Sequence, residues 1–198
     1  NRMLVIQARS HGEAIGKVDF VIDRGSTDMI RKRGRVVPAV QKDVTPAADV
    51  AAMVAAYEQR AAPRINKVVA QSAQAMPLGQ RNEENMIGCL IADAQRDAMK
   101  ADIAIMNPGG IRAGLPAGPV TWGQVYSVQP FGNRLVMLRM TGAGVREALE
   151  QQWGPEQGGA ERFYWLHVSG LRARWDASAP LGRRIVSLTD SDGKPMDP

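Results

Sequence analysis

The sequence predicts an α+β fold with mixed sheets, and three observations lead there. Strand-like and amphipathic helical runs intermix without a strict strand–helix–strand rhythm, which disfavours a doubly wound parallel sheet. An apolar fraction of 44% and a charged fraction of 23% over 198 residues are those of a globular chain with one medium core. No apolar run approaches the roughly 18 to 20 residues of a membrane span.

Residues 3–8 read as a strand, Val18–Asp23 alternates as a second, Asp23–Asp28 is a turn, and residues 29–39 return as a third. Such a meander is too short for a core of its own. Thr45 and Pro46 then open a helix as N-cap and first helical residue, with Val50, Met53, Val54 and Tyr57 on one face and Pro63 as the stop. Asn66–Gln71 reads as a strand and Ala75–Gln80 as a loop. Glu84–Lys100 is the clearest helix, with an apolar stripe of Ile87, Leu90, Ile91, Ala94 and Ala98. Ala101–Met106 is a short buried strand. Thr121–Tyr126 is a short capped helix, Leu135–Met140 a strand, and Thr141 caps a helix to about Trp153. Gly154–Gly159 is a loop, and Phe163–Trp175 with Arg184–Leu188 reads as a hairpin. Met196–Pro198 reads as a turn rather than a natural terminus. Asn1 leads straight into strand-like sequence with no signal peptide, so a trimmed piece of a longer protein is expected.

A net charge of +5 allows an anionic partner. The basic residues are scattered, Arg31–Arg33 and Arg183–Arg184 being short runs, and no basic stripe interleaves with aromatics. Nucleic-acid binding is therefore not expected. The single cysteine, Cys89, excludes an internal disulfide and a Cys-rich zinc site. Among Ile87, Leu90 and Ile91 it reads as a buried structural thiol.

Three stretches carry candidate chemistry. In Asn107-Pro-Gly-Gly-Ile-Arg112, Gly109 and Gly110 can take positive φ and admit a ligand to the main chain. Asn107 offers an amide that donates and accepts, and Arg112 a planar fork for carboxylate or phosphate. A plain glycine turn with a surface arginine accounts for the same residues equally well. Arg81 precedes the best helix, whose N-terminus favours anions, although a cap by Glu84 or Asn85 needs no ligand. Phe131 stands in a Pro-Phe-Gly turn of a chain with only 5% aromatics, placed either to stack a base or to anchor the loop. Trp122, Tyr126, Trp153, Tyr164, Trp165 and Trp175 read as core or interface residues.

Together Arg81-x-x-Glu84-x-x-x-Gly88, Asn107-x-Gly-Gly-Ile-Arg112, Gly118-x-Val-Thr121, Gln129-Pro-Phe-Gly-Asn133 and Thr141-Gly142 resemble, in order and spacing, the C-terminal substrate-binding domain of the family of 5'-nucleotidases and 2',3'-cyclic-nucleotide phosphodiesterases. The resemblance covers about residues 65–198 and implies a layered α/β/β/α domain, truncated at its C-terminus. Residues 1–45 resemble the last strands of that family's N-terminal metallophosphatase domain, and residues 46–64 its linker helix. The resemblance implies that Arg81, Asn107, Gly109, Gly110, Arg112 and Phe131 bind substrate: the arginines its phosphate or ribose, Asn107 the base or sugar, and Phe131 one face of the base. Pro108 stands where the family often has glycine, and Pro77 where some members have another arginine. A second stacking aromatic belongs to a motif beyond residue 198.

Hydrolysis in this family uses two divalent metals, zinc or manganese. This chain has only His11 and His167, neither in a metal-ligand setting, and no Gly-x-Ser-x-Gly motif. The expectation is that no cofactor and no catalytic residue lie within this chain and that the metals sit in an upstream domain. The implied partners are a nucleotide or nucleoside and that domain, the implied location is the periplasm, and the piece alone is expected to be inactive. The alternatives are a sulfate thioesterase of thiosulfate oxidation on the same scaffold, disfavoured by the intact Phe131 and Arg112, or a non-catalytic binding module.

Overall fold

The computed structural model describes residues 3–9, 12–40, 44–155 and 161–196. They form two compact units, residues 1–59 and 60–198.

In the first unit β1 (Ala14–Ile22) and β2 (Met29–Pro38) make an antiparallel hairpin, with Ala14 opposite Pro38 and Phe20 opposite Lys32. The expected turn closes it. Asp23 Oδ1 accepts from the backbone N–H groups of Gly25 and Ser26, both at 2.8 Å, so the carboxylate replaces the missing ladder partners. These two bonds hold its pKa below the usual value. Residues 3–8, expected as a strand, form none. Leu4 and Ile6 lie against Gly34 and Gly16 of the hairpin, but no described backbone pairs with the segment, and a strand exists only through its ladder.

Helix α1 (Ala48–Ile65) begins two residues after Pro46 and runs through Pro63 instead of stopping there. Proline removes one N–H and clashes with one carbonyl a turn earlier. Two residues from the end that loss is confined to the last turn, and Asn66 N–H still reaches Ala62 O at 2.9 Å. The apolar stripe from Val50 to Tyr57 is exposed, and no residue of α1 is buried.

In the second unit β3 (Val68–Ser72) pairs antiparallel with β5 (Gly118–Thr121). Helix α2 (Met86–Met99) packs on β4 (Ala104–Met106) and β8 (His167–Ser169), which pair with each other. Lys100 ends α2 in the left-handed region, at φ 51°. Thr121 caps α3 (Trp122–Val128) in a reciprocal capping box with Gln124. Helix α4 (Gly142–Glu150), capped by Thr141, ends before Trp153, which instead opens β6 (Trp153–Pro155). Strand β6 pairs with β7 (Glu161–Phe163), and β9 (Leu171–Trp175) with β10 (Ile185–Asp190). The loop expected at 154–159 is in part β6, and the rest lies outside the described residues, as do residues 197–198 of the expected final turn.

Two apolar clusters hold the unit together. One joins Ile87, Ile91 and Ala92 of α2 to Met106, Ile111 and Val128. The other joins Val145 and Leu149 of α4 to Trp153, Leu171, Ile185 and Leu188. Leu135–Met140, expected as a strand, has no regular structure and is exposed, Val136 to 77%. Its alternation fits a sheet, but no described strand lies beside it to complete a ladder. The result is an α+β architecture of small antiparallel pairs and helices, as expected.

Candidate anion-binding cleft

Arg81 belongs to a loop fixed at both ends. At its C-terminal end Asn85, rather than Glu84, caps α2: its Oδ1 accepts from Gly88 N–H at 2.9 Å. Gly79 packs so tightly on the Asn85 side chain that a Cβ there would lie 2.7 Å from Asn85 Cβ and 2.8 Å from its amide nitrogen. Glu83 Oε1 accepts from Gln80 N–H at 2.8 Å, and the Arg81 carbonyl accepts from Trp165 N–H at 2.8 Å. The last bond ties the Arg81 loop to the segment leaving β7.

Arg112 follows β4 through a single 3-10 turn, Pro108–Gly110, with Asn107 at its head. Gly109 and Gly110 do not use positive φ, which among the described glycines occurs elsewhere. Gly110 has a packing reason instead, because a Cβ there would lie 2.4 Å from the Met106 terminal methyl. Pro108 at the first position of the turn suits a tightened start, where its absent N–H is not missed. Arg112 N–H donates to Val128 O at 2.8 Å, and its guanidinium Nη1 lies 3.4 Å from Gly109 O.

The third contributor is the β6–β7 hairpin. Arg162 pairs across it with Gly154, and Tyr164 N–H continues the ladder to Gln152 O at 3.0 Å. Residues two apart share a face of a strand, and the Arg162 guanidinium lies 5.6 Å from the Tyr164 ring centre. Phe163 stacks on Trp153 at 5.5 Å, within a group that includes Trp165 and Trp175.

These three pieces enclose a cleft of about 670 Å³, with Arg81, Asn82 and Asn85 on one wall, Pro108, Ile111 and Arg112 on the second, and Arg162, Phe163 and Tyr164 on the third. Arg81 and Arg112, expected at the site, meet there. Asn107, Gly109, Gly110 and Phe131 are not part of the lining, and Phe131 is 46% exposed. Asn85, Arg162 and Tyr164 line the cleft although the sequence marks none of them as a ligand group, Tyr164 reading there as a core or interface residue. The Arg-x-Tyr alternation is the signal that marks the last two as one face. Among the described residues none of the three arginines makes an ion pair. Unpaired guanidinium forks beside amides and aromatic faces suit a planar ligand carrying a phosphate or carboxylate.

Beside Asn85, His167 is fully buried, with Nε2 3.5 Å from the Asn85 amide nitrogen and Nδ1 unpartnered among the described residues. Burial lowers its pKa, against a smaller opposing pull from Glu84. Cys89 is half-buried beside Glu84, and burial together with that carboxylate pushes its thiol up to about 11. Among the described residues no group of three or more His, Cys, Asp and Glu side chains is placed to hold a metal; His11 lies outside them. The donor set described here does not fit a two-metal centre. No helix among the described residues is long and apolar enough to cross a membrane.

Residues 68–198 match the family described as "5'-nucleotidase, C-terminal domain". The whole chain is 37% identical over 199 residues to Endonuclease YhcR of Bacillus subtilis, of which it covers 16%. Among solved structures, a 5'-nucleotidase precursor from Thermus thermophilus matches 97% of the chain at 31% identity and a TM-score of 0.68, the match covering 39% of that protein. The sulfate thiohydrolase SoxB, also of Thermus thermophilus, shares the fold at 21% identity and a TM-score of 0.58, over 94% of this chain and 35% of its own. The chain thus spans well under half the length of these relatives. With two thirds of its residues inside the family match, the chain belongs to the 5'-nucleotidase C-terminal domain family.

Proposed function

We propose that this chain is the nucleotide-binding part of a metal-dependent phosphoester hydrolase of the 5'-nucleotidase type, which dephosphorylates nucleotides. Residues 65–198 are its substrate domain, residues 46–64 the linker helix, and residues 1–45 the last strands of a metallophosphatase domain. The observation that carries the reading is the meeting of Arg81 and Arg112, unpaired, in one cleft of about 670 Å³. That volume accommodates a ligand of nucleotide size.

In this reading Arg81 and Arg112 hold the phosphate or ribose of the ligand, and the amides of Asn82 and Asn85 orient it by hydrogen bonds. Asn107, Gly109, Gly110 and Phe131 serve the base from outside the cleft wall. Two divalent metals, held by a domain outside this chain, supply the hydrolytic chemistry, and the whole protein works in the periplasm. A sulfate thioesterase on the same scaffold is the second reading, favoured by the shared SoxB fold alone.

The test measures AMP and adenosine binding to this chain by calorimetry, and turnover of AMP with manganese or zinc. AMP is expected to bind more tightly than adenosine. Arg112→Gln and Arg81→Gln are each expected to lower AMP affinity about tenfold, the scale of a charge-assisted hydrogen bond. Turnover by this chain alone would overturn the split between binding and catalysis. Indifference of AMP to both substitutions would remove the cleft from the site.

A further inference from the structure

We propose that Arg162, supplied by the β6–β7 hairpin, is a third anion-gripping guanidinium of the cleft and reads the phosphate of the ligand. This rests on the nucleotide reading of the same cleft but assigns a residue which that reading does not use.

Three observations carry it. Arg162 lines the same cleft as Arg81 and Arg112, and among the described residues no carboxylate pairs with it. Arg162 is exposed, and its guanidinium lies beside two defined neighbours. Its hairpin partner is Gly154, and Arg162 Nη2 lies 3.1 Å from where a Cβ on Gly154 would stand. The absent side chain at 154 is the space over which the arginine folds. The Tyr164 ring lies 5.6 Å away, a cation–π distance. Finally, the segment that leaves this hairpin donates Trp165 N–H to the Arg81 carbonyl at 2.8 Å. The hairpin and the Arg81 loop therefore share an anchor, and their two guanidinium groups face one space. A cation ordered before binding loses less rotamer freedom when a ligand arrives.

The experiment is calorimetric titration of this chain with adenosine, AMP and inorganic phosphate, in wild type, R162Q, R162K and G154V. Circular dichroism and tryptophan fluorescence check that each variant folds. R162Q should weaken AMP about tenfold and adenosine less than twofold, because only AMP presents the charge. R162K should recover part of the loss, since it keeps the charge without the fork. G154V should imitate R162Q by displacing the guanidinium, which supplies a test free of any change at residue 162. Equal losses for adenosine and AMP, or an AMP-to-adenosine ratio unchanged by R162Q, would overturn the assignment. Phosphate binding that R162Q abolishes, with neither adenosine nor AMP bound, supports Arg162 and removes the nucleotide reading. Nucleotide binding indifferent to R162Q does the reverse. Failure of all three probes with the wild type overturns both.

Discussion

Gly88→Ala tests how the start of α2 packs on β8. A Cβ at residue 88 would lie 2.3 Å from one atom of the His167 ring and 2.4 Å from two others. Carbon contacts settle at about 3.5 to 4.0 Å, so the ring must retreat by roughly 1 Å. It has no solvent to retreat into, being 0% exposed on a strand paired to β4. Overpacking of this kind costs about 1–3 kcal/mol, and the rigid surroundings point to the upper end. Residue 88 lies in the first turn of α2, where alanine returns at most about 1 kcal/mol over glycine. The net expectation is a loss of about 2 kcal/mol. Urea unfolding followed by tryptophan fluorescence measures it, since all four tryptophans, Trp122, Trp153, Trp165 and Trp175, lie in the second unit. The midpoint should fall with the slope unchanged. The same substitution in a His167→Ala background has no ring to meet and should stabilise by up to about 1 kcal/mol. A Gly88→Ala protein more stable than wild type, with no change of sign between the two backgrounds, would refute the packing argument.

Two further outcomes follow from the same neighbourhood. With its thiol raised from 9.0 to about 11, Cys89 should carry about a hundredfold less thiolate at pH 8 than an unstructured cysteine. Labelling by a disulfide reagent should be slower in the native chain by that order, and equal rates in native and unfolded protein would contradict it. His167 has a folded pKa below its usual 6.5, so below pH 6.5 the unfolded chain binds a proton that the native chain refuses. Its contribution to stability is therefore full at neutral pH and declines as pH falls through 6.5, by at most about 1.4 kcal/mol per pH unit until the folded group also titrates. Urea midpoints against pH should lose this component in His167→Gln, and an unaltered profile would count against it.

Local signals in the sequence predict local structure well. The Asp23 turn and the Thr121 and Thr141 caps need only neighbours a few residues away, and each forms as expected. Helix α2 forms too, but of its expected apolar stripe only Ile87 and Ile91 are buried, while Leu90, Ala94 and Ala98 are exposed and Gly88 and Ala92 complete the buried face. Residues 3–8 and Leu135–Met140 have the alternation of strands but lack a described partner, and pairing is a property of two segments. Pro63 reads as a stop from composition, yet near a C-terminus it removes too little to end the helix. At the site, Arg81 and Arg112 are legible because turns and a helix start flag them. Arg162 is hidden because its place depends on Gly154 across a hairpin and on the Arg81 carbonyl beyond it. Gly110 looks like a conformational glycine but is a packing one, a distinction set by the Met106 methyl.

The cleft walls stand on different foundations. Arg112 is next to Ile111 of the cluster under α2, whereas Arg162 is next to Phe163, which packs on the cluster under α4. A bound anion held by both is a removable cross-link between two separately built halves of one unit. Occupancy then raises the stability of both halves together by RT ln(1 + [L]/Kd), about 2.7 kcal/mol at a hundredfold excess over Kd. The unit should unfold more nearly as one body when loaded than when empty, so that a ligand in the cleft would act as a structural member of the domain.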